Sequence, residues 1–138
     1  MKNILLMAVA LFMLGTSLIS RAGGGTANEF VGLWEAVDPE DGSHLMLSIT
    51  NNNDGTVKLL VYDTFWSRCN GSSRGIAQGT GEISAEQSLK VDDYTVTCFE
   101  TGDTVKVAIT LTRNSDGTLS RTGAAPLVPL IIYHQTSK

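Results

Sequence analysis

Phe65-Trp66-Ser67-Arg68 gathers the chemistry of recognition into four residues: two aromatic rings and a guanidinium. Such side chains dominate binding hot spots because they bury large rigid surfaces and present planar donors. Arg74 lies a little further on, and the chain between is rich in Ser, Gly and Asn, which reads as a long loop over Phe65–Gly75. Phe65, Trp66, Arg68 and Arg74 are therefore the candidate contacts for a small apolar ligand or another secreted protein. The competing role for Phe65 and Trp66 is structural, as a lid anchored by the neighbouring Cys69. On a loop of this composition, Trp66 is expected to be at least partly exposed.

Other reactive side chains offer less. Cys69 and Cys98 are the only cysteines; they lie far apart and form no C-x-x-C redox motif, so in an exported chain they read as one disulfide. Asp38, Glu40, Asp41 and His44 crowd one short stretch, but no ligand spacing enforces a cation, and an acidic solvated turn accounts for them. Asn51-Asn52-Asn53-Asp54-Gly55 fails as a calcium loop, because Thr50 and Val61 fall where carboxylates are required. His44 and His134 are expected at opposite rims of the fold, which argues against a shared metal. Ser and Asp are plentiful, yet no nucleophile elbow places a triad. No catalytic residue, metal or cofactor is expected.

The start of the chain reads as an address. Lys2 precedes the apolar run Ile4 to Ile19, and Ser20-Arg21-Ala22 places small residues where a signal peptidase cuts, so cleavage is expected between Ala22 and Gly23. A transmembrane anchor is the rival reading, but the run is barely the roughly 20 residues a bilayer core needs. Residues 23–29, Gly-rich at their start, read as a flexible leader, and 30–138 as one domain. Cleavage removes Lys2 and Arg21 from ten basic residues set against 14 acidic ones. The remaining acidity disfavours nucleic acid and anionic membranes, both of which reward clustered Lys and Arg. Asn70-Gly71-Ser72 is a glycosylation sequon.

The domain shows no helical period; short apolar runs alternate with turn signals. Strands are expected over 30–37, 44–50, 56–64, 76–84, 88–99, about 104–112, 118–122 and 130–135. Leu45, Leu47 and Ile49 face inward, as do Val57, Leu59 and Val61, and Val105, Val107, Ile109 and Leu111. Gly79 and Gly81 mark a bent strand or close backbone approach. Leu89 and Val91 differ in parity from Tyr94, Val96 and Cys98, so one bulge at Asp92-Asp93 would return all five to one face. The fold class is all-β: an eight-stranded antiparallel up-and-down meander closing into a small barrel with one disulfide. In that topology Cys69 and Cys98 share a rim. The same rim carries the longer loops 38–43, 65–75, 100–103 and 123–129, where a barrel binds its partner.

Phe30-Val31-Gly32-Leu33-Trp34, a G-x-W on the first strand of such a meander, resembles the opening signature of the calycin superfamily, which includes lipocalins, avidins and bacterial periplasmic metalloproteinase inhibitors. The resemblance implies that Trp34 plugs the short-loop rim and that Gly32 permits close approach. The Arg that lipocalins place near the last strand is replaced here by Tyr133-His134-Gln135. The expected function is a secreted or periplasmic, non-catalytic binding protein using the long-loop rim. A secreted hydrolase inhibitor and a structural surface module are the alternatives. A cavity open at that rim would mark a ligand carrier, whereas a side-chain-filled barrel, which the inward residues favour, would mark an inhibitor or structural module.

Overall fold

The computed structural model describes residues 26–66, 69, 73–84, 87–123 and 130–138. The expected signal segment, Arg68, the Asn70 sequon and the link containing Pro126 and Pro129 lie outside the described residues. Eight strands are described: β1 (Gly32–Val37), β2 (His44–Asn51), β3 (Thr56–Trp66), β4 (Ser73–Ile83), β5 (Ser88–Cys98), β6 (Thr104–Arg113), β7 (Leu119–Gly123) and β8 (Ile131–Ser137). Each pairs antiparallel with the next and β8 returns to β1, so the sheet closes into a barrel in up-and-down order. This is the expected meander, and closure gives every strand a neighbour on each side.

Strict alternation is what lets one face of each strand fill the interior. Trp34, Leu47, Val61, Ala77 and Val96 are register partners from strand to strand and form one buried belt. The belt above it, toward the long loops, runs Ala36, Leu45, Asp63, Gly75 and Cys98. Leu89, Val91, Ile109, Leu111, Leu119 and Ile131 complete the core on the far side. Such burial of aliphatic side chains stabilises the fold by about 1.5–3 kcal/mol each.

The bulge in β5 stands where parity demanded it: its register with β6 shifts between Val91 and Tyr94, and both residues are buried. The β4–β5 ladder shifts between Gln78 and Glu82. There Gly79 and Gly81 let Val91 and Leu89 press in, and any Cβ would fall 2.5 and 2.6 Å from them.

Two expectations need correction. β3 runs on to Trp66 and β4 begins at Ser73, shortening the expected 65–75 loop. The ladder continues through Tyr62–Ile76 and Asp63–Gly75 and, after a register shift, Trp66–Ser73. Backbone pairing with a neighbouring strand overrides the loop composition of Ser and Gly. Val105 and Val107 are only half-buried, unlike Ile109 and Leu111. β7 is short and pairs with β6 only along Ile109–Arg113, so the first half of β6 lacks a second neighbour among the described residues.

Candidate functional site

The two ends of the barrel are built differently. At the short-loop end, a 3-10 turn at Ala27–Glu29, within the expected leader, leads into buried Phe30. Trp34 is fully buried, and its Nε1–H donates to the Phe30 carbonyl at 2.9 Å. Gly32 adopts a φ of +143°, and a Cβ there would lie 2.5 Å from the Ser137 carbonyl oxygen. Only glycine tolerates both the dihedral and the approach. The Arg113 Cζ stands 4.8 Å over the Trp34 ring centroid. The arginine covering this tryptophan thus comes from β6. From β8, Gln135 Nε2 instead reaches the Val31 carbonyl at 3.4 Å.

At the long-loop end Cys69 and Cys98 form the expected disulfide, with Cα atoms 5.6 Å apart. The Cys69 N–H donates to the Trp66 carbonyl at 2.8 Å, which fixes the turn leaving β3. Trp66 is 8% exposed, against the expectation of an exposed loop residue. Its ring takes the interior space that Gly75 leaves free: a Gly75 Cβ would fall 2.5 Å from Trp66 Cδ1 and 2.9 Å from Nε1. Trp66 is a lid. Phe65 is half-buried, its N–H bonded to Asp63 Oδ1 at 3.1 Å. Arg74 faces outward, with Nε 3.9 Å from Glu100 Oε1. Of the four sequence candidates, Trp66 and Arg74 therefore point to different faces, and Arg68 lies outside the described residues.

Inside the barrel lies a polar group that sequence reasoning missed. Asp38, Ser43, Asp63, Tyr94, Arg121 and Tyr133 are all buried. Arg121 Nη1 donates to Tyr133 Oη at 3.3 Å, and the same guanidinium and the Tyr94 hydroxyl act on each other as hydrogen-bonding neighbours. The ion pairs within 4.0 Å among the described residues are Glu35–His44 and Arg74–Glu100; Arg121 is instead within electrostatic reach of the buried Asp38 and Asp63 carboxylates. Burial pushes the Tyr94 and Tyr133 hydroxyls above their ordinary pKa. Burial also raises the Asp63 carboxyl, although the Phe65 N–H, Ser43 and Arg121 work against it. Burial opposes the Arg121 charge, but Tyr133, Tyr94 and Asp38 together hold its pKa up. A charged group on an inward position was the available signal: Arg121 shares parity with Leu119, and Tyr133 with Ile131.

The outer wall carries a groove of about 220 Å³ between β1 and β4, lined by Leu33, Met46, Leu60, Tyr62 and Ile76. Tyr62 continues it to exposed Phe99, with ring centroids 6.4 Å apart. His44 and His134, expected at opposite rims, instead flank Glu35 on this wall. His44 Nε2 is 4.0 Å from Glu35 Oε2, and His134 is the register partner of Glu35. No cluster of metal-ligating side chains occurs among the described residues. In the acidic stretch, Asp38 Oδ1 accepts from the Glu40 N–H and Asp41 Oδ1 from the Ser43 N–H, each at 2.8 Å. Those carboxylates build the turn.

No family model matches the sequence, and neither a curated protein nor a solved structure matches it.

Proposed function

We propose that this chain is an extracytoplasmic, non-catalytic binding protein of calycin-like build that engages its partner across the long-loop rim. The contrast between the two ends carries the reading. One end is closed by Trp34 under Arg113 and by the Gly32–Ser137 contact. The other carries the Cys69–Cys98 staple and the packed Trp66 ring, with Asp38, Ser43 and Asp63 buried at the strand ends there. The Cys69–Cys98 disulfide is compatible with an extracytoplasmic location. Because buried side chains fill the interior, the partner sits at the rim rather than being enclosed.

Decanol serves as a neutral probe. Amide shifts on titrating the isotope-labelled protein should concentrate in residues 38–43, 66–75 and 99–103. Shifts confined to the Leu33–Met46–Leu60 groove would move the site to the outer wall and end the rim reading. The filled interior also favours a second reading, a secreted hydrolase inhibitor that presents the same rim to an enzyme cleft. Stoichiometric loss of a secreted protease's activity on adding the protein would select it.

A further inference from the structure

Three sulfur atoms stand among the described residues. Two form the Cys69–Cys98 disulfide, in residues 3% and 1% exposed, so neither offers a thiol to an oxidant. The third is the thioether of Met46, 48% exposed on the outer face of β2. The other three methionines, Met1, Met7 and Met13, fall in the expected signal segment. Trp34 is fully buried and Trp66 nearly so, which covers the indoles that an oxidant also attacks. Register places Met46 between Glu35 of β1 and Tyr62 of β3, and with Leu33, Leu60 and Ile76 it lines the outer groove of about 220 Å³. Both flanking strands pair with its backbone, and its chain neighbours Leu45 and Leu47 are buried. Chemistry at this side chain therefore reaches the groove without entering the core.

We infer that Met46 is a reversible modification site, at which a hydroperoxide converts the thioether to the sulfoxide and makes the groove polar while the barrel beneath stays folded. A sulfur lone pair attacks the terminal peroxide oxygen. The S–O bond forms as the O–O bond breaks, and the departing oxygen takes the proton and leaves as water or an alcohol. Sulfur loses two electrons and the peroxide gains them, so no further reductant or oxidant is needed. The product exchanges a soft, apolar side chain for a polar one with a strong acceptor. Leu33, Leu60 and Ile76 then line a groove with a polar neighbour in their midst. The disulfide is compatible with an oxidising compartment, where such a reaction counts. Met46 faces the wall and not the rim, so the site stands whether or not the rim binds a partner.

Hydrogen peroxide is the probe. Peptide mass mapping of the disulfide-bonded protein after brief treatment should find one added oxygen at Met46, at a rate within about threefold of free methionine. The urea midpoint should not change, and amide shifts should stay with Leu33, Glu35, Met46, Leu60, Tyr62 and Ile76. Methionine sulfoxide reductases should restore the thioether in the folded protein. Met46→Leu, which keeps the lining apolar, should take up no oxygen at the same dose. Met46→Gln, whose amide imitates the sulfoxide, serves as the second variant if Met46→Leu does not fold. A rate more than about tenfold below that of free methionine would show a shielded sulfur and overturn the site. A first oxygen at Trp66 would overturn it too. A lowered midpoint in the sulfoxide would make oxidation a lesion of the barrel and not a change of its wall. Sulfoxide that the reductases leave untouched would end the claim of reversibility.

Discussion

The Arg113 Cζ lies 4.8 Å above the ring of Trp34, whose Nε1–H is bonded to the Phe30 carbonyl at 2.9 Å. One indole thus joins β1, β6 and the turn before β1, and seals the short-loop end. Trp34→Ala should cost about 3–5 kcal/mol, the range for a large buried aromatic. Arg113→Met, which keeps most of the stem, should cost only about 0.5–2 kcal/mol, the worth of a cation–π contact. Urea unfolding of the two variants tests the order, and a larger loss at Arg113 would contradict it.

Trp66 and Gly75 share one space, so their substitutions should couple. Gly75→Ala forces a Cβ to within 2.5 Å of the Trp66 ring and should destabilise the protein by about 1–3 kcal/mol as overpacking. In a Trp66→Ala background most of that loss should disappear, and a double-mutant cycle reads the coupling directly. Single-tryptophan variants should both resist acrylamide quenching, because Trp34 is fully buried and Trp66 nearly so. Strong quenching of Trp66 would show that the lid stands open in solution.

The disulfide ties residues 29 positions apart. On the chain-entropy model, closing a loop of that size is worth about 3–4 kcal/mol. Replacing Cys69 and Cys98 together by Ser should lower the unfolding midpoint while leaving the all-β circular dichroism unchanged. Unaltered stability would mean that the rim needs no staple.

Gly32 should tolerate no side chain. Its φ of +143° is strained for an L residue, and a Cβ would meet both the Ser137 carbonyl and Gln135 Nε2, at 2.5 and 2.8 Å. Gly32→Ala should cost about 1–3 kcal/mol from backbone strain alone. The β1–β8 seam should also open, seen as faster amide exchange at Trp34 and Gln135.

Asp63 sets a pH dependence. Burial raises its folded-state pKa above the reference value of 3.8, so the folded protein holds this proton more tightly than the unfolded chain does. The Asp63 contribution to stability is therefore greatest below that reference value and declines as pH rises through the folded pKa. Asp63→Asn should gain on the native sequence as pH rises from about 4 to 7, since its amide oxygen keeps the bond to the Phe65 N–H. Thermal unfolding across that range checks the sign. A variant that loses ground with rising pH would mean that Arg121 holds the carboxylate charged.

Much of the architecture was legible in residue order because a strand's two faces alternate with no freedom to drift. Leu45-x-Leu47-x-Ile49 had to face one way, and the parity break between Val91 and Tyr94 required a bulge at Asp92-Asp93, which β5 contains. With eight strands in meander, Cys69 and Cys98 fell at one rim and could pair. The site was far less legible. Composition marked the chain around Trp66 as an exposed loop, but only the tertiary structure shows that Gly75, across the ladder, leaves a hollow the indole fills. Parity placed Arg121 and Tyr133 on inward positions, yet parity carries no account of partners. That Arg121 meets Tyr133 and Tyr94, within electrostatic reach of Asp38 and Asp63, depends on how far each strand slides against its neighbours when the barrel closes. Alternation along one strand fixes a face; only the closed sheet decides which side chains share a level inside it.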